Sequence, residues 1–177
     1  TLNGEQRSLE HMAEIFEPLK KAGIAALAIP GNHDIYNGWA RKFVNGQQIT
    51  AHQISPADFK EAFADGYQMS SSSDKNSLSY VVDLQDYRLL MLDSNIYSDR
   101  FSKTEPITKG QLSEKTLDWL ENMLIEAQSM KKVPLIFMHH NLLAHNENVT
   151  EGFVLNNAQQ VLELVEQYHV PLAMTGH

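Results

Sequence analysis

Apolar and polar positions alternate along this chain in blocks that change period. Leu9, Met12, Ala13, Phe16 and Leu19 recur at helical spacing with Gly23 as a stop, which predicts a helix over about 4–22 that packs on a sheet. Ile24–Ile29 is a near-continuous apolar run, the pattern of a parallel strand covered on both faces. Trp39–Val44 reads as a short helix. Ser55-Pro56-Ala57-Asp58 opens another, with a capping serine, proline in the first turn and an acid behind it. Phe59, Ala62 and Phe63 give that helix its buried side, and Ser70–Asp74 reads as an exposed loop. Ser79–Leu84 and Arg88–Leu92 flank Gln85-Asp86 as an antiparallel hairpin. Ser113 caps a helix that buries Leu117, Leu120, Leu124 and Ala127. A strand over 133–138, a helix from Asn157 to Tyr168 buried through Val161, Leu162, Leu164 and Val165, and a strand over 170–174 complete the order. Helices thus alternate with strands, which is a mixed α/β layout in one domain spanning 1–177.

Three of the predicted strands end in loops that carry histidine. Ile24–Pro30 runs into Gly31-Asn32-His33-Asp34, the strand at 133–138 into His139-His140 with His145 beyond, and the last strand into Thr175-Gly176-His177. Parallel strands in one sheet bring such loops to a common edge, where α/β proteins place their chemistry. Imidazoles gathered there with an amide oxygen are borderline ligands suited to Zn, Mn or Fe. Asp93-Ser94-Asn95 stands at another strand end, as a turn or as support for such a site.

Composition narrows the chemistry. A chain of 177 residues with 42% hydrophobic and 20% charged content can bury a sizeable core. The net charge of −8 and the lack of a basic stripe argue against a nucleic-acid surface, so an anionic substrate would depend on bound cations. There is no cysteine, which removes disulfides, thiolate zinc sites and thiol catalysis. No apolar run is long enough for a membrane span. Nor is there a Gly-x-Ser-x-Gly elbow for a serine hydrolase. The compartment stays open between cytoplasmic and bacterial cell-surface or secreted.

Gly31-Asn32-His33-Asp34, His139 and Gly176-His177 resemble, in order, three motifs of the calcineurin-like metallophosphoesterases. Those are Gly-Asn-His-Asp/Glu, a lone strand-end His, and Gly-His-x-His. The run through His139-His140-Asn141-Leu142-Leu143 and His145 is most similar to the bacterial cyclic-nucleotide phosphodiesterase-like branch. Thr1 resembles the residue just past the family's Gly-Asp motif. The resemblance therefore implies a partial catalytic domain, without the N-terminal Asp-x-His and Gly-Asp motifs and without the last His. It also implies a portion of a four-layer αββα sandwich with mixed sheets.

The implied activity is hydrolysis of phosphate esters, with phosphodiesters favoured, by hydroxide activated on two divalent ions (Mn, Fe or Zn, with manganese favoured). Asn32, His139 and His177 would ligate one ion, His33 would be the general acid, and Asp34 would orient it. His145, Tyr36, Asn37 and Arg41 are candidate substrate contacts by position, and His140 is read as structural. The substrate would be a small-molecule or nucleotide phosphate ester. The chain as given, without those motifs, is expected to bind metal weakly and to show little or no activity itself. The competing reading is a degenerate member or an inactive fragment that binds a nucleotide or partner without hydrolysis.

Overall fold

A computed structural model describes residues 3–100, 102 and 105–177. Its centre is a five-stranded mixed sheet. The strands are β3 (Ser72–Ser73), β4 (Tyr80–Asp83), β5 (Tyr87–Met91), β6 (Val133–Phe137) and β7 (Leu172–Met174), side by side in that order. β1 (Arg41–Val44) and β2 (Gln47–Thr50) form a separate hairpin. The β3–β4 and β4–β5 pairs are antiparallel, whereas β5–β6 and β6–β7 are parallel. The helices are α1 (Gln6–Lys21), α2 (Pro56–Ala62), α3 (Ala64–Met69), α4 (Glu114–Ser129) and α5 (Ala158–Gln167).

Strand alternation sorts the core into two faces. Val81, Leu90, Leu92, Ile136 and Met138 point to α4 and α5, meeting Leu117, Leu120, Leu124 and Val161. Tyr80, Val82 and Met91 point the other way, onto Leu27 and Ile29 of the apolar run. Beyond that run, Leu9, Ile35, Ile54 and Phe59 join Ala28 in a further cluster with Phe63 and Tyr67. The layers are therefore helices, sheet, extended run, helices.

The run at Ile24–Ile29 is extended but forms no ladder among the described residues, contrary to the strand expected there. A strand needs a neighbour for its backbone, and here side chains replace one. The Tyr80 hydroxyl donates to Ala28 O at 2.9 Å, and the Asp65 carboxylate accepts from Ala26 N at 3.3 Å. Ile24 stays 54% exposed, so the run is covered only toward its C-terminal end.

Three other expectations change. Trp39–Val44 is no helix: Asn45 and Gly46 adopt φ of +51° and +76°, the two left-handed residues of a tight hairpin turn, and the chain folds back as β1–β2. Ser70–Asp74 is no free loop, since β3 pairs with β4 and buried Asp74 accepts from Asn76, Ser77 and Thr116. Helix α1 packs on α2 rather than on the sheet, with Phe16 edge-on to Phe63 at 6.0 Å, while Met12 and Leu19 remain exposed. The two caps are as expected. Ser55 Oγ accepts from Asp58 N at 3.1 Å while Asp58 accepts from Ser55 N at 2.8 Å, and Ser113 Oγ accepts from Thr116 N at 3.1 Å.

The β4–β5 hairpin is fastened by Arg88, which is 2% exposed. It donates twice to Asp83 at 3.0 Å and once to Glu126 at 2.9 Å, joining the sheet to α4. Hydrogen bonding from Arg88, aided by Ser71 and Lys132 and opposed by burial, holds the Asp83 carboxyl well below the usual carboxylate range. A depressed folded-state pKa means that the unfolded chain takes up the proton first. The stability it contributes is thus present above about pH 4 and is lost as pH falls further. Asp83→Asn is expected to cost about 3 kcal/mol at neutral pH by leaving a buried guanidinium short of charge. It should also flatten the acid limb of stability against pH, measured by urea melts between neutral and acid pH.

Candidate metal centre

The parallel ladder continues past the strand ends and aligns the loops. Leu92 N donates to Phe137 O at 2.8 Å, Met138 N to Met174 O at 3.0 Å, and Gly176 N to His139 O at 3.1 Å. Residues 93–95, 139–140 and 175–177 therefore stand side by side on one edge. The Asn32 loop reaches the same edge from the extended run. Asn32 is 4% exposed, and its Oδ1 lies 2.8 Å from His139 Nε2. The His177 ring sits beside that of His139, with centroids 4.6 Å apart and planes 31° inclined. Phe153 closes the other side of His177 at 4.8 Å.

These imidazoles are neutral at physiological pH. Burial, reinforced by His177, His140 and His33, brings His139 down to about 3. His177 is lowered by burial as well, with the Thr108 carbonyl opposing slightly. That carbonyl is taken by His140 at 2.9 Å, and buried His177 Nε2 keeps no hydrogen-bond partner. A buried nitrogen lone pair or N–H without a partner is costly, and here it stands beside two more donor atoms. The contact from Asn32 Oδ1 to His139 Nε2 requires a proton on that nitrogen. When the proton moves to Nδ1, both atoms turn lone pairs to the same point. Their 2.8 Å separation matches adjacent ligands on one ion with bonds of about 2.1 Å.

The donor set fits a borderline divalent ion through Asn32, His139 and His177. It is also uncharged. Among the described residues no group of three or more His, Asp or Glu side chains is placed to hold a metal.

Local backbone chemistry shapes the loop. Asp34 accepts from Gly31 N at 2.7 Å, and Asp34 N donates back to Gly31 O at 2.9 Å. A side chain at Gly31 would meet the His139 ring at 3.0 Å, so glycine admits the imidazole. His33 is half-buried, near enough to His139 for its charge to oppose protonation there.

Not all candidates converge. His145 is exposed on the connection between β6 and α5. Asn37 is 1% exposed, its Oδ1 accepting from Trp39 N at 2.7 Å, so it offers no surface to a substrate. Arg41 is 9% exposed, donates to Ala40 O and Ser102 O, and lies 4.0 Å over the Trp39 ring; it braces the hairpin. Tyr36 is half-buried, with a left-handed φ of +38°. His140 is structural as expected. Fully buried and brought down to about 4 by burial, it is held between Ser94 Oγ at 2.8 Å and Thr108 O at 2.9 Å, with its ring over Gly110.

Sequence reasoning passed over Phe153, Thr108 and Asn141. Asn141 accepts from Thr175 Oγ1 at 2.7 Å and pairs with Val154, which brings Phe153 to His177. No local pattern marks these residues, because every partner is distant in sequence.

The mixed α/β fold agrees with the comparison to known families. The calcineurin-like phosphoesterase model matches residues 3–177, and the chain belongs to that family. Its members are metal-dependent phosphoester hydrolases, and that is the class of this protein. No curated protein gives a significant match.

Proposed function

We infer that this protein hydrolyses phosphodiesters of small-molecule or nucleotide size, with Asn32, His139 and His177 holding a divalent cation and His33 protonating the leaving group. The observation that carries this reading is the 2.8 Å approach of Asn32 Oδ1 to His139 Nε2 beside the unpartnered His177 Nε2. Divalent ions held by these residues would supply an activated water and charge to neutralise the phosphoryl oxygens. Everything else falls to the chain. Asn32 and the two imidazoles fix where the phosphorus sits, and burial keeps them in the neutral, ligating form. His33, next to Asn32 and oriented by Asp34, delivers its proton to the departing alkoxide oxygen. An alkoxide is a poor leaving group, so a proton donor beside the metal suits a diester of an alcohol.

An open cleft of about 820 Å³ begins at Thr108, whose carbonyl His140 contacts, and is lined further by Ile96, Pro106, Glu105, Lys109 and Glu151. That volume accommodates a nucleotide-sized ester. With a net charge of −8, and with Glu105 and Glu151 beside Lys109 on the cleft, the protein would depend on bound cations to draw an anion there. Manganese, favoured by the family resemblance, is the ion to test first, with iron and zinc as ions that take the same imidazole and oxygen donors.

A second reading has one observation in its favour: no carboxylate joins the three donors among the described residues. Three neutral ligands hold a dication weakly, and the protein would then bind a nucleotide or partner without turning it over. Hydrolysis of bis(p-nitrophenyl) phosphate separates the two. Turnover that rises with added Mn²⁺, disappears with chelator and exceeds that on p-nitrophenyl phosphate is the expected result. Mn²⁺-dependent ester binding in calorimetry with no product would establish the second reading.

A further inference from the structure

The peptide between Pro30 and Gly31, directly ahead of Asn32, is held from both ends. Gly31 N donates to Asp34 Oδ2 at 2.7 Å, while Pro30 O accepts from Asn95 Nδ2 at 2.9 Å, across 65 residues of sequence. The same Asn95 amide nitrogen donates to Asp93 Oδ1 at 2.9 Å. Both neighbours are acceptors, so the amide group can face them only with its nitrogen. Asp93 is 3% exposed and saturated with donors: Asn95 N and Nδ2 on one oxygen, Leu78 N and the Tyr97 hydroxyl on the other. Asn95 is further pinned by its backbone pairing with Gly110, and Asp93 N donates to Ser79 Oγ at 2.9 Å. A rigid buried anchor at the end of β5 therefore reaches across the edge to the loop that carries Asn32 and His33.

We propose that Asn95 is a positioning residue for the centre: held by buried Asp93, it clamps the Pro30–Gly31 peptide and so fixes where Asn32 and His33 point. The physical argument is one of alternatives. A peptide plane tied at one end can rotate and carry the next side chain with it. Tied at both ends, it loses two hydrogen bonds on rotating, and Asn32 Oδ1 stays on His139 Nε2. Partners that orient ligands in this way change metal affinity or activity about 10–100-fold when removed. Asn95 Oδ1 is buried without a partner, so the amide is held through its nitrogen alone, one hydrogen to Asp93 and the other to Pro30 O.

The ligand role of Asn32 belongs to the functional reading above, so the test has one arm that does not depend on it. Asn95→Ala removes the clamp, and Asn95→Asp keeps its shape but turns a carboxylate toward two acceptors. In metal-free protein, long-range ¹H–¹⁵N spectra of the imidazoles should show His139 fixed as the Nε2–H tautomer in the wild type. Both variants should average it between tautomers while His140, held by Ser94 and Thr108, is unchanged. Titration with Mn²⁺ should show affinity about 10–100-fold weaker in both. An unchanged His139 spectrum with Mn²⁺ affinity within about twofold of wild type overturns the proposal. Loss of the whole fold in both variants overturns it too, because Asn95 would then be a prop of the core. A wild type that takes up no Mn²⁺ would instead sink the functional reading, and the His139 spectra alone would decide for or against the clamp.

Discussion

His33→Ala in the manganese-loaded protein should lower turnover of an alkyl phosphodiester by about 10²–10⁴-fold and leave metal content nearly intact. The two outcomes are separable because the side chains point to different work. Asn32 and His139 face each other at 2.8 Å, whereas His33 is the intervening loop residue and is read as the proton donor. The loss should shrink as the leaving group improves, since a nitrophenolate departs without a proton. A series of diesters graded by leaving-group acidity measures this. Equal losses across the series would mean that His33 shapes the loop without donating a proton.

The second large effect is on metal content. His139→Ala should abolish retention of Mn²⁺ through gel filtration, and Asn32→Ala should weaken it, both read by elemental analysis. His139 matters more because it is the central member: its ring contacts Asn32 on one side and packs against His177 on the other. His139→Ala also opens space above Gly31, so a thermal melt belongs beside the metal assay. His145→Ala should leave content unchanged, since its exposed side chain is not one of the three donors. Full occupancy in both ligand variants would remove the proposed cage.

What could be read from sequence was what is local. The Ser55 and Ser113 caps, the Gln85-Asp86 turn and the histidines behind β6 and β7 each rest on a few neighbouring residues, and each is found where expected. The failures share a different cause. Ile24–Ile29 has the pattern of a buried strand, yet pattern cannot supply the neighbouring strand that a ladder needs. Trp39–Val44 was read for period, although Asn45-Gly46 just beyond it is a stronger, conformational signal. Asn37 and Arg41 were placed at the site because they follow Asp34 in sequence. The chain instead turns inward there, and Arg41 finds Ser102 O, 61 residues on. Asn95 shows the same limit from the other side: its partner Pro30 lies far away in sequence, and only folding makes the pair visible.

The account turns on three side chains sharing one ion. Crystals grown with Mn²⁺ and measured near the manganese absorption edge would show it. The expected result is an anomalous peak about 2.1–2.3 Å from Asn32 Oδ1 and from one ring nitrogen each of His139 and His177. A peak elsewhere, or none at saturating Mn²⁺ with Asn32 still bonded to His139, would contradict it.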